Sequence, residues 1–200
     1  MRILLLIALL FLSTAATAPI SGAQIKQPPA AAPGPPDAII GSAKAPLPPR
    51  EAEYIGILQN ARKQYITARS VDGRRNARVA MQSAVHNFMG LSHNAEGWVG
   101  VFKDSKKNPL GTQSVEIEIA PGVTVATWDN PASDATYYTL IQQTSAMGKL
   151  VSGLAIGDEV VFSADLIGAV ISSDEDMVLR PQVIGKFGKL EKIEPPPAKK

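Results

Sequence analysis

The apolar period of this chain changes once, near Trp98, and that change restricts the fold more than any other feature. Before it, Tyr54, Ile57, Leu58, Ala61, Tyr65 and Ala68 recur at spacings of three and four. Such spacing lines one face of a helix. After a break at Val71-Asp72-Gly73, a second stripe follows through Ala77, Met81, Ala84, Val85, Phe88 and Leu91, with Gly90 near its end. Beyond Trp98 the period is two: Val115, Ile117 and Ile119 alternate with Glu116 and Glu118. Alternation of that kind marks a half-exposed strand. The chain is therefore expected to be α+β, with a helical hairpin over 51–96 followed by an all-strand unit over 97–193.

The strand unit can be ordered further. Ala120-Pro121-Gly122 is a turn, and Val123, Val125 and Thr127 alternate on the return strand. A two-residue loop would face the two apolar rows to opposite sides, so the hairpin is expected to carry a bulge. Asn130 to Asp134 is read as loop. Thr144 or Ser145 is placed to cap a short helix ending near Gly153. Gly157-Asp158 turns the chain into a strand from Glu159 to Ile167, with Phe162, Ala164 and Leu166 inward and Val161, Ser163 and Asp165 outward. Ser172 to Asp176 reads as an acidic loop, and Val183 to Ile193 as the last strand.

The termini differ in composition. Residues 1–18 read MRILLLIALLFLSTAATA: a basic start, an apolar run of ten and small residues. That is the pattern of a secretory leader, too short to span a bilayer, with a preferred cut after Ala23. Half of the 16 prolines fall within residues 24–50, which are expected to form a disordered tether. Residues 194–200 are expected to be a disordered tail. There is no cysteine, so the fold must hold without disulfides. Without residues 1–23 the balance is 20 − 1 = 19 basic against 18 acidic residues, which gives no global case for nucleic acid. The expected address is periplasmic or secreted.

From Trp98 the order is strand, strand, strand, short helix, strand, strand. Trp98-Val99-Gly100-Val101, Ile117-Glu118-Ile119, Val125-Ala126-Thr127-Trp128, the Leu154 to Ser163 stretch and Phe187 to Ile193 carry it. In this the chain resembles a group of exported bacterial proteins with OB-like domains, uncharacterised in function and akin to the tRNA-anticodon-binding-like OB families. The resemblance implies a five-stranded OB-like barrel with a helix between its third and fourth strands. It implies no reaction. Glu116 and Glu118 depart from the aromatic and basic strands with which OB proteins grip single-stranded nucleic acid.

The local charge signal lies on the hairpin. Arg62, Lys63, Arg69, Arg74, Arg75 and Arg78 fall within 17 positions against Asp72 alone, a surplus of five. Such a patch suits an anionic lipid, a phosphate ligand or an envelope protein. Trp98, Trp128, Tyr137 and Tyr138 offer rings either to a core or to stacked bases. His86 and His93 are the only histidines, and with Glu96 they would be the sole candidates for zinc. Asp174, Glu175 and Asp176 lack the spacing of an EF-hand loop. No G-x-S-x-G or phosphate-loop motif occurs. No catalytic residue, metal or cofactor is therefore assigned. The expectation is a non-enzymatic binding or adaptor module of the cell envelope, with a nucleic-acid or phosphate-ligand OB domain as the alternative.

Overall fold

A computed structural model describes residues 41–170 and 173–194. The expected leader, most of the proline-rich segment and residues 195–200 lie outside the described residues. Twelve elements follow in order: α1 (Pro49–Thr67), α2 (Val71–Leu91), β1 (Asn94–Asp104), β2 (Thr112–Gln113), β3 (Glu116–Ala120), β4 (Val123–Ala126), α3 (Pro131–Asp134), β5 (Ile141–Gln142), α4 (Ala146–Gly153), β6 (Glu159–Val170), α5 (Asp174–Leu179) and β7 (Gln182–Lys192). Two helices thus precede a closed five-stranded barrel.

The barrel closes in the order β1-β3-β4-β7-β6. Four of its pairs are antiparallel and β4–β7 is parallel. The strands β2 and β5 form a separate ribbon. The β3–β4 hairpin contains the expected bulge: Glu118 faces Thr124 but Ala120 faces Val123. Gly122 takes the left-handed conformation that the tight return requires, at φ 71°. Ile117 and Val125 then face each other across the hairpin, and both are buried. On β6, Phe162, Ala164 and Leu166 are buried and Asp165 is exposed, the alternation that the sequence predicts. Ser145 caps α4, accepting from the Gly148 N–H at 3.0 Å.

Helix and barrel share one core. An aromatic chain runs between them, with centroids of Phe88 and Tyr54 at 5.2 Å, Tyr54 and Trp98 at 5.4 Å, Trp98 and Phe162 at 6.4 Å, and Phe162 and Phe187 at 5.3 Å. Offset and edge-on pairs at these separations add to the energy of burial. Arg50 closes the other end of the hairpin. Its guanidinium sits 4.2 Å over the Phe88 ring and donates to the carbonyls of Phe88 at 3.3 Å and Ser92 at 2.5 Å. It thereby satisfies acceptors that the last turn of α2 leaves open.

Four expectations are corrected. The break between the helices falls at Ala68 to Ser70, not at Val71-Asp72-Gly73, because Ser70 caps α2 by accepting from the Gly73 N–H at 3.0 Å. The first strand starts at Asn94, ahead of Trp98, with a register shift between Ala95 and Trp98 where Gly97 lies at φ 65°. The acidic run from Asp174 is the first turn of α5, capped by Ser173, since carboxylates favour a helix N-terminus. Likewise Asn130 caps the four-residue α3, where a loop was expected. The end of the proline-rich segment is also ordered. Ser42 donates to the Ile119 carbonyl at 2.9 Å, Leu47 packs on the core, and Pro49 opens α1, where a missing N–H costs nothing.

Candidate functional site

The six basic residues of the hairpin separate into two roles. Arg62 points to the barrel. Its guanidinium donates to the carbonyls of Pro121 at 2.7 Å, Gly122 at 3.4 Å and Leu179. Burial lowers its pKa from the ordinary arginine value. These contacts join α1 to the β3–β4 turn and to the end of α5, so Arg62 is a clamp. Lys63 and Arg69 are exposed on the last turns of α1 and in the connection to α2. Arg74, Arg75 and Arg78 meet at a depression of about 240 Å³ with Tyr65, Val71 and Asp174. Arg78 is ion-paired with Asp174, and Arg75 lies 3.4 Å from Asp72. Arg74 has no ion pair among the described residues.

A second concavity, of about 270 Å³, crosses β3 and β4. Its walls include Asp104, Lys106, Glu116, Trp128 and Asp129, and Val170 and Gln182 close its far side. Three carboxylates thus stand against one lysine, which lies 3.7 Å from Asp104. Trp128 is half-buried, and its indole Nε1 is buried with no partner among the described residues. The backbone of this residue is fixed on both sides. Its N–H donates to Thr139 Oγ1 at 2.9 Å, and its carbonyl accepts from Thr127 Oγ1 at 2.9 Å. Thr139 is held in turn by the buried Asp134 carboxylate, which accepts from Thr139 Oγ1 at 2.7 Å, Thr139 N at 2.5 Å and Leu140 N at 3.0 Å. The sequence reading missed this groove, although Thr127-Trp128-Asp129 directly after an alternating strand is its visible trace.

The other rings and carboxylates fall into place around these two surfaces. Trp98 is fully buried, while Tyr137 and Tyr138 are exposed beyond α3. Glu51 is fully buried: Oε2 accepts from the Val99 N–H at 2.8 Å and Oε1 has no partner among the described residues. Burial pushes its carboxyl up to about 8. Glu51 stands three residues before Tyr54 and seven before Leu58, on the apolar face of α1, and that spacing was a signal available in the sequence. Asp158 accepts from Lys192 Nζ and the Ala155 N–H, both at 2.8 Å. The hydrogen bond from Lys192 is the main cause holding this carboxyl below its usual range. With Gly157 at φ 95° it builds the turn into β6.

His86 is exposed on α2, and His93 Nδ1 lies 3.3 Å from the Leu166 carbonyl. Asp176 is bound by Ser173 and Arg180 within α5. Among the described residues no group of three histidine, aspartate or glutamate side chains is placed to hold a metal ion. No described helix is long and apolar enough to cross a membrane. Compared with protein-family models, curated proteins and solved structures, the chain has no significant match.

Proposed function

We propose that the chain is an exported, non-enzymatic binding module of the cell envelope, built on an OB-like barrel, that receives a cationic segment of its partner in the Trp128 groove. The barrel order, the helix-bearing connection between its third and fourth strands and the returning parallel strand support the OB-like reading. The leader pattern supports export. The observation that carries the binding reading is the groove itself: a half-buried indole in a depression rimmed by Asp104, Glu116 and Asp129. An aromatic face beside carboxylates attracts an ammonium or guanidinium group. Neither histidine lines the groove that contains Ser114.

Titration with an oligolysine peptide, followed by tryptophan fluorescence, tests the reading. The peptide should perturb the emission, and Glu116→Lys with Asp129→Lys should abolish the response while leaving the thermal midpoint near that of the parent. A response unchanged in that variant would refute it. The phosphate-ligand alternative draws on a different observation, the three arginines around the Tyr65 depression. Salt-sensitive binding of a single-stranded oligonucleotide, lost on reversing Arg74 and Arg75, would favour it.

A further inference from the structure

The tip of the α1–α2 hairpin combines two properties that the groove does not have. Ile66 is 65% exposed and Val71 72% exposed, on either side of the turn between the helices. From Ile66 to Asn76 only Ala68 and Gly73 are even partly covered. Arg74, Arg75 and Arg78 gather at one depression with Val71, Arg69 lies between Ile66 and Val71 in the turn, and Asp72 and Asp174 pair with two of these arginines. Four arginines less two carboxylates leave two positive charges in surplus. The barrel holds the hairpin firmly below this point, through Arg62 and the Tyr54–Trp98 contact. The tip is therefore a fixed projection.

We propose that this tip docks on an anionic lipid surface, with Ile66 and Val71 entering the interface and Arg69, Arg74 and Arg75 meeting headgroup phosphates. The argument is one of complementarity. Exposed aliphatic groups gain by leaving water, and the boundary between headgroups and acyl chains accepts them while presenting phosphates at the same depth. A nucleic-acid backbone offers the phosphates but no apolar layer for Ile66 and Val71. Each basic residue near such a surface adds a modest attraction that salt weakens. The patch is independent of the groove, so either proposal can fail alone.

The test is co-sedimentation of the chain from Gln24 to Lys200, which retains every described residue. Vesicles of phosphatidylcholine alone and of phosphatidylcholine mixed equally with phosphatidylglycerol are the two surfaces. Binding is expected only to the mixed vesicles and should fall with salt. Arg74→Gln with Arg75→Gln should lower the partition coefficient about thirtyfold. Ile66→Ser with Val71→Ser should lower it about tenfold. Neither pair touches the core, and circular dichroism should be unchanged for both. Equal binding to the neutral vesicles, no binding to either surface, or full binding by the Ile66/Val71 variant would each overturn the proposal. So would an oligonucleotide bound through the same arginines with no loss in the Ile66/Val71 variant, which would assign the patch to a phosphate ligand in solution.

Discussion

The Val99 backbone N–H donates to the Glu51 carboxyl across the joint between α1 and β1, at 2.8 Å. Glu51 has no basic partner among the described residues, and burial is the main cause of its raised pKa. The proton balance follows. Its carboxyl titrates near 4.5 in the unfolded chain and about 8 in the folded one. Between those values the folded state holds a proton that the unfolded state has released, so stability falls as pH rises. The favourable state is complete below about 4.5, and its loss is complete above about 8. Thermal unfolding should therefore give a lower midpoint at about pH 9 than at about pH 6, and Glu51→Gln should remove most of that difference. At the higher pH the variant should exceed the parent by a few kcal/mol.

Arg62 was grouped with the anion-binding arginines on sequence, but its contacts are all to backbone carbonyls of the barrel side. Arg62→Ala should destabilise by about 2 kcal/mol, through lost charged hydrogen bonds and carbonyls left poorly satisfied. Denaturant unfolding reads the loss. Vesicle binding by the folded variant should match the parent.

Asp134 acts on Trp128 through Thr139. Asp134→Ala removes the acceptor for three hydrogen bonds in a buried turn and should cost about 3 kcal/mol. The Trp128 backbone loses its anchor with it. Oligolysine binding should weaken in the fraction that remains folded, as fluorescence titration below the unfolding midpoint would show.

Two glycines of α4 make a matched pair. At Gly148 a Cβ would meet the Gln142 carbonyl and lie 2.9 Å from Gln143 Cα, both backbone atoms that cannot swing aside. At Gly153 nothing stands within 4 Å. Gly148→Ala should destabilise by about 2 kcal/mol. Gly153→Ala should be neutral or gain about 0.5 kcal/mol from reduced backbone freedom. Parallel denaturant melts of the two variants check both.

Local chemistry was the legible part of this fold. The alternation of Val115, Ile117 and Ile119, the cap at Ser145, the turn at Gly157 and the bulge after Glu118 all follow from side-chain period and turn geometry, which act over a few residues. The barrel closure was inferred from element order. The misplaced features have different causes. Gly73 marks a break by composition, whereas the Ser70 hydroxyl already caps α2 three residues earlier. The acidic run at Asp174 read as loop by its charge, although those carboxylates lie where a helix start favours them. Arg62 and Glu51 were beyond local reading: the partners of Arg62 lie 59 to 117 residues away, and that of Glu51 lies 48 residues away. A charge that leaves its own helix to meet distant backbone has no local signature beyond its position on an apolar face.

The six-residue helix α5 has a further consequence. Its first residue, Asp174, pairs with Arg78 of the hairpin, and the carbonyl of its last, Leu179, accepts from Arg62. The connection that contains it begins after Val170 and ends before Gln182, both walls of the Trp128 groove. One short helix therefore carries contacts to two different arginines of the hairpin, one at each of its ends.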